Sequence, residues 1–225
     1  MNIKINFKNQ AFSKSYGNLI LFVDEKFNIS SLKKLISNSE YAYILDLLKN
    51  EDLKKKIVTF DISSKRKIFL ISLKKNLTNF DAENLGAKCY GLFKKFNKTD
   101  YILNSNSIPN KFKDFVGYFL HGVKLKSYIF EKYKTKKNKK TISINVIGKN
   151  LPSQKDQIKF KALEDGTFYT RDLVSEPGNV LHPDEYAKRI NSLRKFGLKI
   201  NIYDDKKLKK LGMNTLLGVG QGSIR

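Results

Sequence analysis

Short apolar runs rich in Ile, Val, Phe and Leu alternate with longer segments of helical periodicity up to about Gly148, and this alternation limits the fold class more than any other feature of the chain. Strand-like runs fall at Asn18–Val23, Lys56–Ile62, Arg66–Leu73, Tyr101–Leu103 and Thr141–Ile147. Between them, Ser31–Lys49 carries Leu32, Leu35, Ile36, Ile44, Leu45 and Leu48 at helical spacing, with a polar break near Ser37–Ser39 that divides it into two helices. Phe80–Phe96 places Leu85, Cys89, Leu92, Phe93 and Phe96 on one side, and Asn110–Phe130 repeats the pattern with Phe112, Phe115, Val116, Phe119, Leu120, Val123 and Ile129. The expectation is an α/β domain with a mixed or parallel sheet.

A break follows at Asn150-Leu151-Pro152-Ser153, where Pro152 closes the last strand and Ser153 can cap a helix running to about Val174. Two domains are therefore expected, 1–150 and 151–225. In the second, Ser175-Glu176-Pro177-Gly178-Asn179 is a turn signal in which Pro177 fixes φ and Gly178 can supply a positive one. Pro183 suits the first position of a helix reaching Phe196, Leu198–Tyr203 alternates as a strand, Asp204–Leu211 can form a short helix ended by Gly212, and Leu216–Val219 is expected as a strand.

The chain of 225 residues carries a formal charge of +23, which by itself points to nucleic acid or an anionic surface. The make-up of that charge argues otherwise. Of 44 basic residues only Arg66, Arg171, Arg189, Arg194 and Arg225 are arginine, the residue whose planar fork reads bases and phosphates, and the lysines are spread through nearly every segment. The densest run, Lys132 to Lys140, reads as a solvated loop ahead of a phosphate-tracking one. A single cysteine, Cys89, excludes an internal disulfide framework, and its place on an apolar helix face makes it a core residue. The N-terminus Met1 to Phe7 alternates polar and apolar residues with no secretion-signal pattern, and no apolar run approaches the roughly 20 residues that cross a bilayer. His121 has no Cys, Asp or second His at ligand spacing on its helix and reads as structural; His182, before Pro183, reads as a loop residue.

The most specific segment runs from Ala162 to Ser223. Its first half contains Arg171-Asp172-Leu173 followed by the Pro177-Gly178-Asn179 turn, and its second contains Leu211-Gly212-Met213 leading to Gly220-Gln221-Gly222-Ser223. This pair of motifs, in order and about thirty residues apart, resembles the opening of the catalytic domain of M17-type leucyl aminopeptidases. Residues 1–148 agree with that family's macro-domain-like N-terminal domain. The resemblance implies a macro-domain-like α/β domain followed by the incomplete start of an α/β metallo-aminopeptidase domain.

The family removes N-terminal residues from peptides with two divalent metal ions, manganese or zinc, and the resemblance further implies a cytoplasmic homo-oligomer, a hexamer. Its metal-binding motifs lie downstream of the Gly-Gln-Gly-Ser segment, so this sequence is expected to be a fragment that is inactive alone, with no catalytic, metal or substrate-binding residue assigned. Lys149 superficially starts a lysine motif but is followed by Asn150-Leu151-Pro152 and is given no metal role. Glu164, Asp165, Asp172, Glu176, Asp184 and Glu185 are close in sequence but spread over two helices and a turn, without a histidine pair to complete a site. The lesser alternatives are a non-catalytic module that assembles with full-length subunits and a basic nucleic-acid-binding protein; no membrane partner is expected.

Overall fold

The computed structural model describes residues 2–8, 17–96, 98–108, 112, 114–136 and 140–222. They divide into two compact units, 1–168 and 169–225. In the first, strands β1 (Asn2–Lys8), β2 (Asn18–Asp24), β3 (Ile57–Ser63), β4 (Arg66–Leu73), β5 (Asp100–Asn104) and β6 (Thr141–Ile147) form one sheet in the order β1-β6-β5-β2-β4-β3. All neighbours are parallel except β3 and β4, which make an antiparallel hairpin. The central strands explain themselves: Leu19–Val23 and Ile68–Ile71 are continuous apolar runs because both of their faces are covered. At the β3 edge, Val58 and Phe60 point inward while their neighbours do not, the alternation of a strand buried on one side. β1 was not among the expected strands, although its alternation is the same signal; it supplies the opposite edge, with Ile3, Ile5 and Phe7 turned to the core.

Two apolar clusters lie on the two faces of the sheet. On one, α2 (Asn79–Phe96) and α3 (Phe115–Ser127) cover Ile20, Phe22, Phe69, Tyr101, Leu103 and Ile144. Edge-on aromatic contacts knit this layer, Phe22 with Phe115 and Phe119 and Phe69 with Phe93, at centroid separations of 4.9, 5.4 and 5.8 Å. On the other face, α1 (Asn38–Leu48) and the 3₁₀ turn before it cover only the β2-β4-β3 side, through Leu32, Ile36 and Ile44. Under β1 and β6 that face is polar instead, with Asn6 Nδ2 donating to Ser143 Oγ and Asn145 Oδ1. The expected break at Ser37–Ser39 is a capping box. Ser37 Oγ accepts from Glu40 N while Glu40 Oε2 accepts from Ser37 N, and Arg66 Nε donates to Glu40 Oε1 at 2.6 Å. Burial pushes the Glu40 carboxyl up, but the Ser37 N–H and the Arg66 guanidinium outweigh it and hold the group below its usual range.

α2 and α3 approach so closely that side chains are excluded at the crossing. A Cβ on Gly86 would fall on the Phe119 carbonyl, and one on Gly122 would fall on the Glu83 carbonyl. The helix expected over Asn110–Phe130 ends at Ser127, because Tyr128 is extended (ψ 133°); residues 110, 111 and 113 lie outside the described residues. The break at 148–153 is irregular but tied down. Gly148 takes φ +111°, and Lys149 N and Asn150 N donate to Asn106 Oδ1 and Ser105 Oγ. α4 (Gln154–Ser175) follows, capped by Ser153, whose Oγ accepts from Asp156 N.

The second unit holds the end of α4, then α5 (Pro183–Asn191), a 3₁₀ turn over Ser192–Phe196, α6 (Asp205–Lys210) and α7 (Asn214–Gly220). Two expected strands are corrected here. Leu198–Tyr203 has no ladder partner among the described residues and stays irregular, with Arg194 Nη2 donating to the Ile200 carbonyl at 2.6 Å. Leu216–Val219 is helical within α7, with Leu217 N bonded to Met213 O and Gln221 N to Leu217 O; a four-residue apolar run carries no period that could separate the two states. Gly212, expected to end α6, does so at φ +70°.

The crossing of α2 and α3 makes a stability prediction. Gly122→Ala should destabilise the first unit by about 1–3 kcal/mol, because backbone cannot move aside as a flexible side chain can. Gly91→Ala, also within α2 but with nothing within 4 Å of the new Cβ, should stabilise it by roughly 0.5–1 kcal/mol. Urea unfolding of the two variants, followed by near-ultraviolet dichroism of the buried tyrosines, checks the contrast.

Candidate functional site

The segment that carries the paired motifs is built on the end of α4, the turn after it and α5. The turn reverses without the positive φ expected of Gly178: Val180 N and Leu181 N both donate to the Pro177 carbonyl at 2.9 Å, a helix-like turn that leaves Gly178 in ordinary backbone with open space around it. His182 caps α5 with extended backbone, and its Nδ1 is buried with no partner among the described residues. Pro183 opens α5, and Asp184 and Glu185 fill its first turn, where the helix dipole favours negative charge.

Arg189 joins the two helices. Its Nη1 donates to Glu176 Oε1 at 3.0 Å and its Nε to Glu185 Oε1 at 2.8 Å, while its backbone carbonyl accepts from Tyr169 Oη at 3.0 Å. The Glu176 side chain is only 1% exposed, and the guanidinium offsets part of the cost of burying its charge. The Glu185 carboxyl is held below its usual range chiefly by the Arg189 hydrogen bond, and the guanidinium is held charged by the two carboxylates. Sequence spacing shows the Glu185–Arg189 half of this staple, since i,i+4 pairs meet on a helix. It cannot show Glu176, which arrives across the turn.

The other acidic residues considered as metal ligands are dispersed. Glu164 lies between Lys124 (3.4 Å) and Lys161 (3.7 Å), and Asp165 pairs with Lys161 at 2.5 Å. Among the described residues no three His, Cys, Asp or Glu side chains converge on a point that could hold a metal ion. The donor set among the described residues therefore does not fit a two-metal centre. Cys89 is fully buried on α2, and burial pushes its thiol far up, away from nucleophilic use. Of the basic run, residues 137–139 lie outside the described residues; Lys132 to Lys136 are exposed or half-exposed. Ser223 of the second motif also lies outside them, and Gly220 ends α7.

His121 is the functional-type residue for which the structure shows a partner that sequence could not. Its Nδ1 lies 2.8 Å from Glu83 Oε1, on a different helix and 38 positions away, and its Nε2 is buried with no partner among the described residues.

Residues 168–225 match the family described as cytosol aminopeptidase family, catalytic domain. A probable cytosol aminopeptidase of Bradyrhizobium sp. is 42% identical over 109 residues, 46% of this chain and 22% of that protein. One from Nitrobacter winogradskyi is 30% identical over 235 residues, 94% of this chain and 45% of that protein. Among solved structures, a tomato leucine aminopeptidase mutant has a TM-score of 0.71 at 19% identity, covering 94% of this chain and 46% of its own. The bottromycin maturation enzyme BotP, in complex with Mn, has a TM-score of 0.61 at 16% identity over 94% of this chain and 43% of its own. The fold is thus a mixed α/β fold, with a parallel-dominated sheet, of the leucine aminopeptidase kind. The chain is homologous to the M17 cytosol aminopeptidases over part of their length, and it spans less than half of the curated relatives it matches.

The Arg189 staple predicts a pH dependence for the second unit. The Glu185 pKa is depressed in the folded state, so its contribution is present above the ordinary glutamate value of roughly 4.3 and is lost as pH falls through the folded value. Hydrogen exchange of α5 amides should accelerate as pH is lowered through this window beyond the intrinsic trend, and Arg189→Gln should remove the excess.

Proposed function

We propose that this chain is the front portion of a leucyl aminopeptidase, with 1–150 as a macro-domain-like N-terminal domain and 151–225 as the start of the catalytic domain. The observation that carries the proposal is the coincidence of the catalytic-domain match at 168–225 with a fold likeness that extends over 94% of the chain. The full-length enzyme would act in the cytoplasm as a homo-oligomer, a hexamer, removing N-terminal residues from peptides with two manganese or zinc ions held by the remainder of its catalytic domain. No helix among the described residues is long and apolar enough to cross a membrane, and the curated relatives are named cytosol aminopeptidases.

The second unit supports this reading physically. Among its described residues only Leu173 is buried, while Val174, Phe196, Leu211, Leu216 and Val219 are exposed, Val174 at 82% and Val219 at 78%. α5, α6 and α7 bury nothing. Apolar side chains left in water on amphipathic helices are what a segment shows when the layers it was made to pack against belong to the rest of a catalytic domain.

The 225-residue chain is expected to show no turnover of leucine p-nitroanilide with added Mn²⁺ and to bind the dye ANS through its second unit. A protein extended by the remainder of an M17 catalytic domain should hydrolyse the substrate and lose the dye signal. Turnover by the 225 residues alone, or dye binding unchanged in the extended protein, would count against the assignment.

A further inference from the structure

Ten large apolar side chains between residues 174 and 219 are exposed in the second unit, where only Leu173 is buried among the described residues. At roughly 100 Å² each, a part of the 150–250 Å² that an aromatic side chain can bury, they offer on the order of 1,000 Å². Each partner in a standard-sized protein interface contributes about 800 Å². The uncovered surface is therefore large enough to hold a second body by itself.

The stretch 198–203 adds unpaired backbone to that surface. In sequence it alternates Leu198, Ile200 and Ile202 with Lys199, Asn201 and Tyr203, the period of a strand. Among the described residues its backbone takes part in one hydrogen bond, from Arg194 Nη2 to the Ile200 carbonyl. An alternating stretch with unclaimed donors and acceptors is what the edge of another sheet pairs with. The elements on either side are already set. Arg189 ties α5 to Glu176, Asp204 Oδ1 accepts from Lys207 N at the start of α6, and Gly212 ends that helix at φ +70°. A partner arriving here meets formed helices and has only 198–203 to order, which keeps the entropy cost of association low.

We infer that the second unit docks the remainder of an M17 catalytic domain by non-covalent contact alone, as a separate polypeptide, with 198–203 adding as a strand to the sheet that polypeptide brings. The inference rests on the aminopeptidase reading, which identifies the occupant. Residues 168–225 match that family's catalytic domain, and the Nitrobacter winogradskyi relative, matched over 94% of this chain, has more than half of its length outside the match. A peptide bond between the two parts raises their effective concentration but adds no contact, since the surface is already on this chain. The first unit, with its own two apolar clusters, keeps the free chain folded until the partner arrives. A second copy of this chain is the poorer occupant, because two bodies of formal charge +23 repel one another.

The test produces the full 225-residue chain, tagged, in the same cells as an untagged polypeptide made of the Nitrobacter winogradskyi relative beyond its match, with a fusion of the two as reference. The two polypeptides should co-purify in equal amounts, and hydrogen exchange at 198–203 and in α7 should slow at least about tenfold relative to the chain alone. Val219→Asp, at a position already 78% exposed, should weaken the association at least about tenfold while leaving the circular dichroism of the free chain unchanged. A fusion that turns over leucine p-nitroanilide with Mn²⁺ while the separate halves do not co-purify overturns the inference and leaves the aminopeptidase reading standing. A fusion without turnover removes that reading and the inference with it. Exchange that slows with the concentration of the chain alone, and no further with the second polypeptide, assigns the surface to a second copy and overturns the inference. Co-purification that Val219→Asp leaves intact, without slowed exchange at 198–203, places the contact elsewhere and overturns it as well.

Discussion

Two helix backbones touch at Gly86 and Gly122, and most of the first unit is arranged around that contact. Because neither residue carries a Cβ, α2 and α3 can lie close enough to act as one layer, and that layer covers the parallel strands with Phe93, Phe115 and Phe119. Packing at interior density tolerates little change in spacing, so a wider crossing would leave gaps beneath the aromatic rings on β2 and β4. Glu83 and His121 flank the same contact: the Glu83 carbonyl touches Gly122, and its carboxylate reaches the neighbouring His121. The pairing of that histidine with Glu83 is therefore a by-product of how the core is closed.

The two units differ in how they hold themselves together. The first has an apolar cluster on each face of a six-stranded sheet. The second relies on hydrogen bonds and charge: the Arg189 staple, the Asp204 cap on α6 and the glycines that end its helical turns. Such contacts fix local shape but contribute little net free energy in water, since each replaces a bond to solvent. A segment organised in this way specifies where its helices begin and end while leaving their apolar faces to be completed by something else. The residues organised in this way, 168–225, are those that match the catalytic domain of the cytosol aminopeptidase family.

Much of the first unit was legible because its elements obey one period each. Arg66–Leu73 and Thr141–Ile147 have the bounds expected of them, and the break at Ser37–Ser39 follows from a serine three residues before a glutamate. β1 carried a readable alternation, but its pairing with β6 could not be read, since nothing local names a partner so far along the chain. In the second unit the motifs identified the family while the secondary structure was misassigned. Leu216–Val219 and Leu198–Tyr203 are short apolar stretches whose state is decided by neighbours, not by their own pattern. The Glu83–His121 and Glu176–Arg189 pairs were invisible for a related reason: each joins residues on separate elements, and a ligand search along one helix never meets them.

The pairing of the first strand with the last has a temporal side. On the ribosome Asn2 emerges long before Thr141, its partner in the sheet, so β1 has no neighbour until nearly the whole first unit has been made. Its inward-facing Ile3, Ile5 and Phe7 wait uncovered through that interval, and closing such a distant pair carries the largest loop entropy in the unit. The nascent chain can assemble β2 to β5 early, but the edge completed by β1 is added last, so the amino-terminal residues are the first to be made and the last to find their place in the sheet.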